Sequence, residues 1–238
     1  MSTVFVDRII SELEDKNYRS AINRNVRNLV AKGTVGTTEI TIWERAENYT
    51  YLSSAATISI QSDDENDTIE GTGARTLTVF GLNGSYAEFA TTINMDGTNA
   101  VEIPNVLRIF NMRVRTAGTG CKNAGVITAT YGGTIYAQMN AGRNRTYMGI
   151  YTIPAGRTGY SQFFYVSTAA GKDCTVCVNT RRFGEVFVCD IDMPSYEDLR
   201  IFHTPAPTPI GERTDIKLSA ASSLSSVDIT AGMQIILK

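Results

Sequence analysis

Residues 66–101 read NDTIEGTGARTLTVFGLNGSYAEFATTINMDGTNAV, and this stretch decides the fold class. In Thr76-Leu-Thr-Val-Phe-Gly81 the threonines at 76 and 78 fall on one face and Leu77 and Val79 on the other, the period of two that marks a half-buried strand. Asn83-Gly84 and Asp96-Gly97 are dipeptides that tolerate the positive φ of a tight hairpin turn. The spacing predicts a three-stranded antiparallel meander closed by two such turns, a scaffold rather than a chemical site.

Strand signals continue on both sides. Glu39 to Trp43 alternates, and Tyr49 to Ile60 is a run of aromatic, β-branched and small residues. Val106 to Arg115 follows, then Val126 to Tyr131 and Thr134 to Met139 as a hairpin around Gly132-Gly133. Thr146 to Ile153, Gln162 to Ser167, Cys174 to Asn179 and Val186 to Ile191 read as further strands, and Asp215 to Ala220 and Val227 to Leu237 as the last two. Pro194 to Phe202 suggests a short helical turn, and Thr204 to Pro209 a proline-rich surface crossing. Strands without intervening helices favour an all-β, two-sheet antiparallel sandwich of jelly-roll type, since parallel sheets need long crossovers.

The N-terminal stretch differs. Between Val6 and Lys32 the apolar residues Tyr18, Ile22, Val26, Leu29 and Val30 recur at helical spacing, and Gly33 is a natural stop. The expected organisation is an amphipathic helical arm over 1–33 followed by a β-sandwich domain over 34–238. Lys16, Arg19, Arg24, Arg27 and Lys32 make the second half of the arm basic. The ordinary reading of such a run is a solvated face. The sharper one is a partner-binding arm, with Tyr18, Ile22, Val26 and Leu29 packing on the partner and Lys16, Arg19, Arg24 and Arg27 facing acidic surface.

Composition limits the function classes. The chain of 238 residues carries 22 Lys and Arg against 24 Asp and Glu, a net charge of −2 that supplies no global field for nucleic acid. No apolar run is long enough for a membrane-spanning helix, and charges interrupt the N-terminus where a secretory leader would be apolar. A cytosolic origin is expected, with no nucleic-acid and no membrane partner, and with it four free thiols, mostly buried.

No residue set has catalytic or metal-site spacing. The single histidine, His203, sits before the proline-rich crossing with no nucleophile elbow in the sequence. Cys174 and Cys177 have half of a zinc spacing, but three residues apart on a strand they point to opposite faces. Asp63, Asp64, Glu65 and Asp67 invite a calcium reading, yet Thr68 and Ala74 stand where the EF-hand template needs glycine and glutamate, so a solvated turn is the better reading. Gly71-Thr-Gly73 lacks the third glycine of a dinucleotide loop. The expectation is a non-enzyme without cofactor or metal.

Several segments, in order along the chain, carry a resemblance: Tyr49-Thr-Tyr-Leu-Ser-Ser-Ala, Gly71-Thr-Gly-Ala-Arg-Thr-Leu-Thr-Val, Thr92-Ile-Asn-Met-Asp-Gly-Thr, Asn123-Ala-Gly-Val-Ile, Tyr151-Thr-Ile-Pro-Ala-Gly and Glu212-Arg-Thr-Asp-Ile. From about Trp43 onward the chain resembles virion structural proteins of tailed bacteriophages, of the short-tailed marine and cyanobacterial type. The resemblance implies a capsid decoration or cement protein on the capsid exterior, assembled in the host bacterial cytoplasm. Its partners would be the major capsid protein and itself, as a homo-oligomer for which shell symmetry suggests a trimer. A head-fibre, connector or tail component with a receptor- or glycan-binding role is the alternative, for which Tyr131, Tyr136, Tyr147, Tyr151 and Tyr160 are candidate contact residues.

Overall fold

A computed structural model describes residues 25–168, 172–196, 199–203, 208–223 and 226–238. Sixteen strands make up the described chain: β1 (Val26–Val35), β2 (Ile40–Thr41), β3 (Ala56–Ser62), β4 (Ala74–Asn83), β5 (Glu88–Asn94), β6 (Val101–Ala117), β7 (Ile127–Tyr131) and β8 (Thr134–Met139), then β9 (Ile150–Thr152), β10 (Gly159–Thr168), β11 (Asp173–Arg181), β12 (Val188–Tyr196), β13 (Arg200–His203), β14 (Pro209–Ile210), β15 (Asp215–Ser222) and β16 (Val227–Leu237). Every named pairing is antiparallel, as the absence of helical crossovers in the sequence implied.

The strands form two units where the sequence suggested one sandwich over 34–238. Two five-stranded sheets, in the orders β1-β16-β10-β13 with β14 on β10 and β12-β11-β15-β2 with β9 on β15, enclose a core that includes Leu29, Ile42, Phe164, Val176, Leu218 and Ile235. Between β2 and β9 the chain makes a six-stranded sheet, β5-β4-β6-β3-β7-β8, curled around a second core of Trp43, Ile60, Leu77, Ile109, Met112 and Met139.

The expected helix over Val6 to Lys32 is corrected for its last part. Val26–Val35 is a strand paired along its whole length with β16, from Val26 opposite Ile236 to Val35 opposite Val227. Of the apolar residues that fit a helical repeat, Leu29 instead points into the sandwich core, in alternation with Ala31 and Val35 of the same strand. Ten strand residues find partners on β16, which outweighs the weak preference of the isolated stretch. The remainder of the predicted arm, including Lys16, Tyr18, Arg19, Ile22 and Arg24, lies outside the described residues.

The meander is also rearranged. β4 and β5 form the expected hairpin, but its loop is longer than two residues: Tyr86 N–H donates to Asn83 O (2.9 Å), and the positive φ of 61° falls on Tyr86. Asp96-Gly97 does turn the chain, with Gly97 at φ 59°, but the following strand does not fold back on β5. Gly97 O instead accepts from Ser62 N, and β6 starts against β3 before running along β4. β6 lies between β4 and β3, which leaves β5, with Thr91 and Thr92 exposed, as the edge of the sheet. The Gly132-Gly133 hairpin forms as expected, both glycines at positive φ. The helical turn expected over Pro194 to Phe202 is replaced by the ends of β12 and β13, and the strand expected from Tyr49 begins only at Ala56.

The acidic loop is a structural hub. Asp67 is fully buried, and its two carboxylate oxygens accept from Ala74 N (2.6 Å), Ala124 N (2.8 Å), Gly125 N (2.9 Å) and Ser62 Oγ (2.6 Å). Any side chain at Gly73 would collide with that carboxylate, which accounts for the glycine without a phosphate. Asp63 accepts from Val126 N (2.7 Å). The solvated turn expected here is therefore corrected at Asp67. Among the described residues no three His, Cys, Asp or Glu side chains are grouped to hold a metal ion.

Candidate protein-binding surface

The two units meet at a buried ion cluster. Arg108 on β6 and Arg181 on β11 share the carboxylate of Asp215 on β15, at 3.3 Å and 2.6 Å, and Thr152 Oγ1 donates to the same carboxylate. Arg108 also donates to the carbonyls of Leu52 (2.8 Å) and Leu107 (2.9 Å), so its charge is solvated by protein. Both guanidiniums also lie over the Tyr51 ring, Arg108 at 4.9 Å and Arg181 at 4.6 Å from its centre. The negative ring face favours both cations. Burial, then the nearby Asp215 carboxylate and Tyr49, holds the Tyr51 hydroxyl well above its usual range, so it stays neutral.

This cluster anchors the β11–β12 hairpin, whose tip is the most exposed apolar feature described. Phe187 stacks over Arg181 (4.4 Å) and Lys217 (4.7 Å) and packs on Tyr51. Phe183 leans edge-on against Tyr86 of the β4–β5 loop and lies 5.9 Å from Arg213. Burial lowers the Lys217 pKa, with Arg181 adding to the effect against Glu39. Gly184, at φ 82°, and the bond from Glu185 N to Arg182 O (2.9 Å) close the turn. At this braced tip Phe183 and Val186 remain 67% and 77% exposed, and Val188 is exposed beside them. Apolar side chains held out together on such a support make this tip the candidate contact surface of the described chain.

The hairpin also revises the cysteine reading. Cys177 and Cys189 are joined by a disulfide across β11 and β12, with Cα atoms 5.9 Å apart. Twelve residues separate them in sequence, and only the hairpin with its bulge after Val178 sets them side by side. Cys174 and Cys177 do face opposite ways: Cys174 lies in the sandwich core, where burial and Asp173 push its thiol up to about 11, and Cys121 is an exposed free thiol.

A cleft of about 530 Å³ lies where β1 passes the six-stranded sheet, lined by Arg27, Leu29, Phe80, Glu88, Phe110 and Tyr151 among others. Arg27 donates to both oxygens of Glu88 (2.7 and 2.6 Å), and Tyr151 O–H donates to Glu88 at 3.2 Å. Burial works to raise the Glu88 pKa, but the hydrogen bond and charge of Arg27 outweigh it and leave it lowered. The same bond to Glu88 raises Arg27 against the effect of burial. Burial and the Glu88 charge raise Tyr151. Of the expected partner-contact residues within the described chain, Arg27 is thus engaged across the cleft, Leu29 is buried in the sandwich core, and Val26 is half-buried in β1.

His203 stands exposed at the end of β13, with its ring 6.2 Å from Phe163. Tyr136 and Tyr151, candidates for a glycan-contact cluster, are core residues, while Tyr131 is exposed at the β7–β8 turn. The hairpin tip was missed from sequence, although Phe183-Gly-Glu-Val186 is a turn that places two large apolar residues where polar ones are usual. No helix of the described residues is long and apolar enough to cross a membrane.

No protein-family model and no curated protein matches this sequence. Among solved structures, the chain is similar to that of the infectious bursal disease virus Gt strain, with 12% identity over 89% of this chain and 72% of the other and a TM-score of 0.23. It is also similar to the infectious bursal disease virus VP2 subviral particle, with 11% identity over 89% of this chain and 75% of that one and a TM-score of 0.18. At TM-scores this low neither fold nor role transfers.

Proposed function

We propose that this chain is a structural subunit of a virion, in particular a capsid decoration protein that binds the outside of a shell of major capsid protein and stabilises it. The observation that carries the reading is the braced apolar tip formed by Phe183 and Val186. Its support is a buried ion cluster and a disulfide, so it meets a partner without paying an ordering cost. The motif-level resemblance to phage virion proteins agrees with that use, and the role asks for no chemistry, cofactor, nucleic acid or membrane. The location would be the capsid exterior, after assembly in the host bacterial cytoplasm.

The test is quantification of this protein against the major capsid protein in purified particles, followed by rebinding of Phe183→Asp/Val186→Asp to particles stripped of it. Decoration predicts a copy number comparable with that of the shell protein, and a folded double variant that no longer rebinds. A few copies per particle would instead indicate a head-fibre, connector or tail component. Undiminished rebinding of the double variant would remove the tip as the contact.

A further inference from the structure

We propose that Arg113 and Arg145 form a binding site for a phosphate or sulfate group at the margin of the cleft. The two residues are opposite one another in an antiparallel bridge between β6 and the segment that precedes β9. Val114 N donates to Asn144 O and Thr146 N to Met112 O, each at 3.0 Å, so the backbone bonds flank the pair instead of joining it. In this arrangement facing side chains stand closest, on one face of the sheet. Like charges placed directly opposite are destabilising unless something neutralises them.

No carboxylate of the described chain does so. The row continues across the sheet from Arg113 to Thr78 and Thr92, which are neutral. Glu88, the carboxylate of β5 on the same face as Thr92, is already held by Arg27. No ion pair among the described residues includes Arg113 or Arg145. Each Nε donates to a neutral oxygen, that of Arg113 to Asn111 Oδ1 at 3.2 Å and that of Arg145 to the Thr146 carbonyl at 3.4 Å. The terminal nitrogens of both find no acceptor among the described residues. Burial, and then the charge of Arg113, lowers the Arg145 pKa, the direction that an unneutralised pair produces.

The geometry suits an anion. Arg113 lies over the Phe80 ring at 5.7 Å and Arg145 over the Tyr147 ring at 5.0 Å. Phe80 is opposite Asn111, which precedes Arg113 by two residues, and Tyr147 follows Arg145 by two. On antiparallel segments those are the same direction, so both guanidiniums lean the same way along the sheet. A ring face steadies each guanidinium plane and leaves its N–H edge free. Two such forks side by side match the oxygens of phosphate or sulfate, and a dianion balances both charges where a carboxylate balances one. Arg113, Phe80 and Asn111 line the cleft, so a group esterified to the anion has room beside them. The site shares no residue with the hairpin tip and does not depend on the virion role.

The test is thermal unfolding and titration calorimetry of the full chain with inorganic phosphate and with sulfate, against chloride at matched ionic strength. Both oxyanions should bind and raise the melting temperature, and chloride should not. Arg113→Gln and Arg145→Gln should each weaken phosphate binding by roughly tenfold, the loss of one charged hydrogen-bonding partner. Arg182→Gln, which removes the same charge on the hairpin, should leave binding unchanged. Arg113→Glu gives Arg145 a carboxylate within the chain, so it should abolish phosphate binding and raise the melting temperature with no anion added. Phenyl phosphate distinguishes the sources of the anion: binding tighter than that of inorganic phosphate assigns an ester whose body enters the cleft, and equal or weaker binding assigns the free ion. A response to phosphate no greater than that to chloride, an equal loss in Arg182→Gln, or an Arg113→Glu variant that still binds phosphate would overturn the proposal.

Discussion

Two buried aspartates, one in each part of the molecule, are satisfied in different ways. Asp67, inside the acidic loop of the six-stranded unit, accepts three backbone N–H groups and one hydroxyl, all neutral and all from its own unit. Asp215, where the units meet, is held by two guanidiniums that come from different units. The first arrangement fixes the path of a loop. The second welds two sheets, and with two cations on one carboxylate it also draws in the faces of Tyr51 and Phe187. A carboxylate held by backbone is local architecture; one held by side-chain cations is a joint, and the exposed hairpin tip is built on the joint.

The largest expected effect is at that joint. Asp215→Ala leaves Arg108 buried with no carboxylate, and breaking a buried pair from one side costs about 3–5 kcal/mol. Chemical denaturation should show the loss, and limited proteolysis should cut at the β11–β12 hairpin before it cuts the six-stranded unit. Simultaneous loss of both units at the same denaturant concentration would argue that they do not separate at Asp215.

Asp67→Asn is the matching change in the other region, and it should cost less. An asparagine can keep its oxygen toward Ala74 N and Ala124 N and donate from its nitrogen to Ser62 Oγ, which leaves Gly125 N–H alone facing an amide N–H. One orphaned buried donor costs roughly 1–3 kcal/mol. Thermal unfolding would measure it, with hydrogen exchange at Gly125 rising more than at Ala74. A loss as large as that of Asp215→Ala would erase the distinction between the two aspartates.

How much of this could be read beforehand follows from the range of the interactions. Strand alternation at Leu77 and Val79 and the turn at Gly132-Gly133 are local, and both were legible. The order β5-β4-β6 was not, because a turn dipeptide says that the chain reverses and not which edge it then finds. The β1 residues fit a helical repeat as well as a strand, and only β16, some two hundred residues away, decides between them. Asp67 looked like one of several solvated acids since its donors at Ala124 and Gly125 are remote in sequence. The candidate surface failed for the same reason: Arg108, Arg181 and Asp215 are unremarkable singly, and the tip of Phe183 and Val186 becomes a surface only when these three brace it.

A third carboxylate, Glu88, tests whether exposure rather than partner type sets the strength of a joint. Like Asp215 it bridges the units through a guanidinium, that of Arg27, but both side chains keep about a third of their surface in water. Solvent screening then limits the pair to about 0–1 kcal/mol, so Glu88→Gln should lower stability by no more than that. The pH dependence follows from the lowered pKa of Glu88. Its contribution is fully present above the ordinary carboxylate value of 4.5 and is lost as the pH falls through the lower folded value. Unfolding measured from neutral pH down through that window should therefore show the wild type losing its small advantage over Glu88→Gln in acid. An advantage that persisted below the folded value would mean that the Glu88 side chain acts through its packing in the cleft and not through its charge.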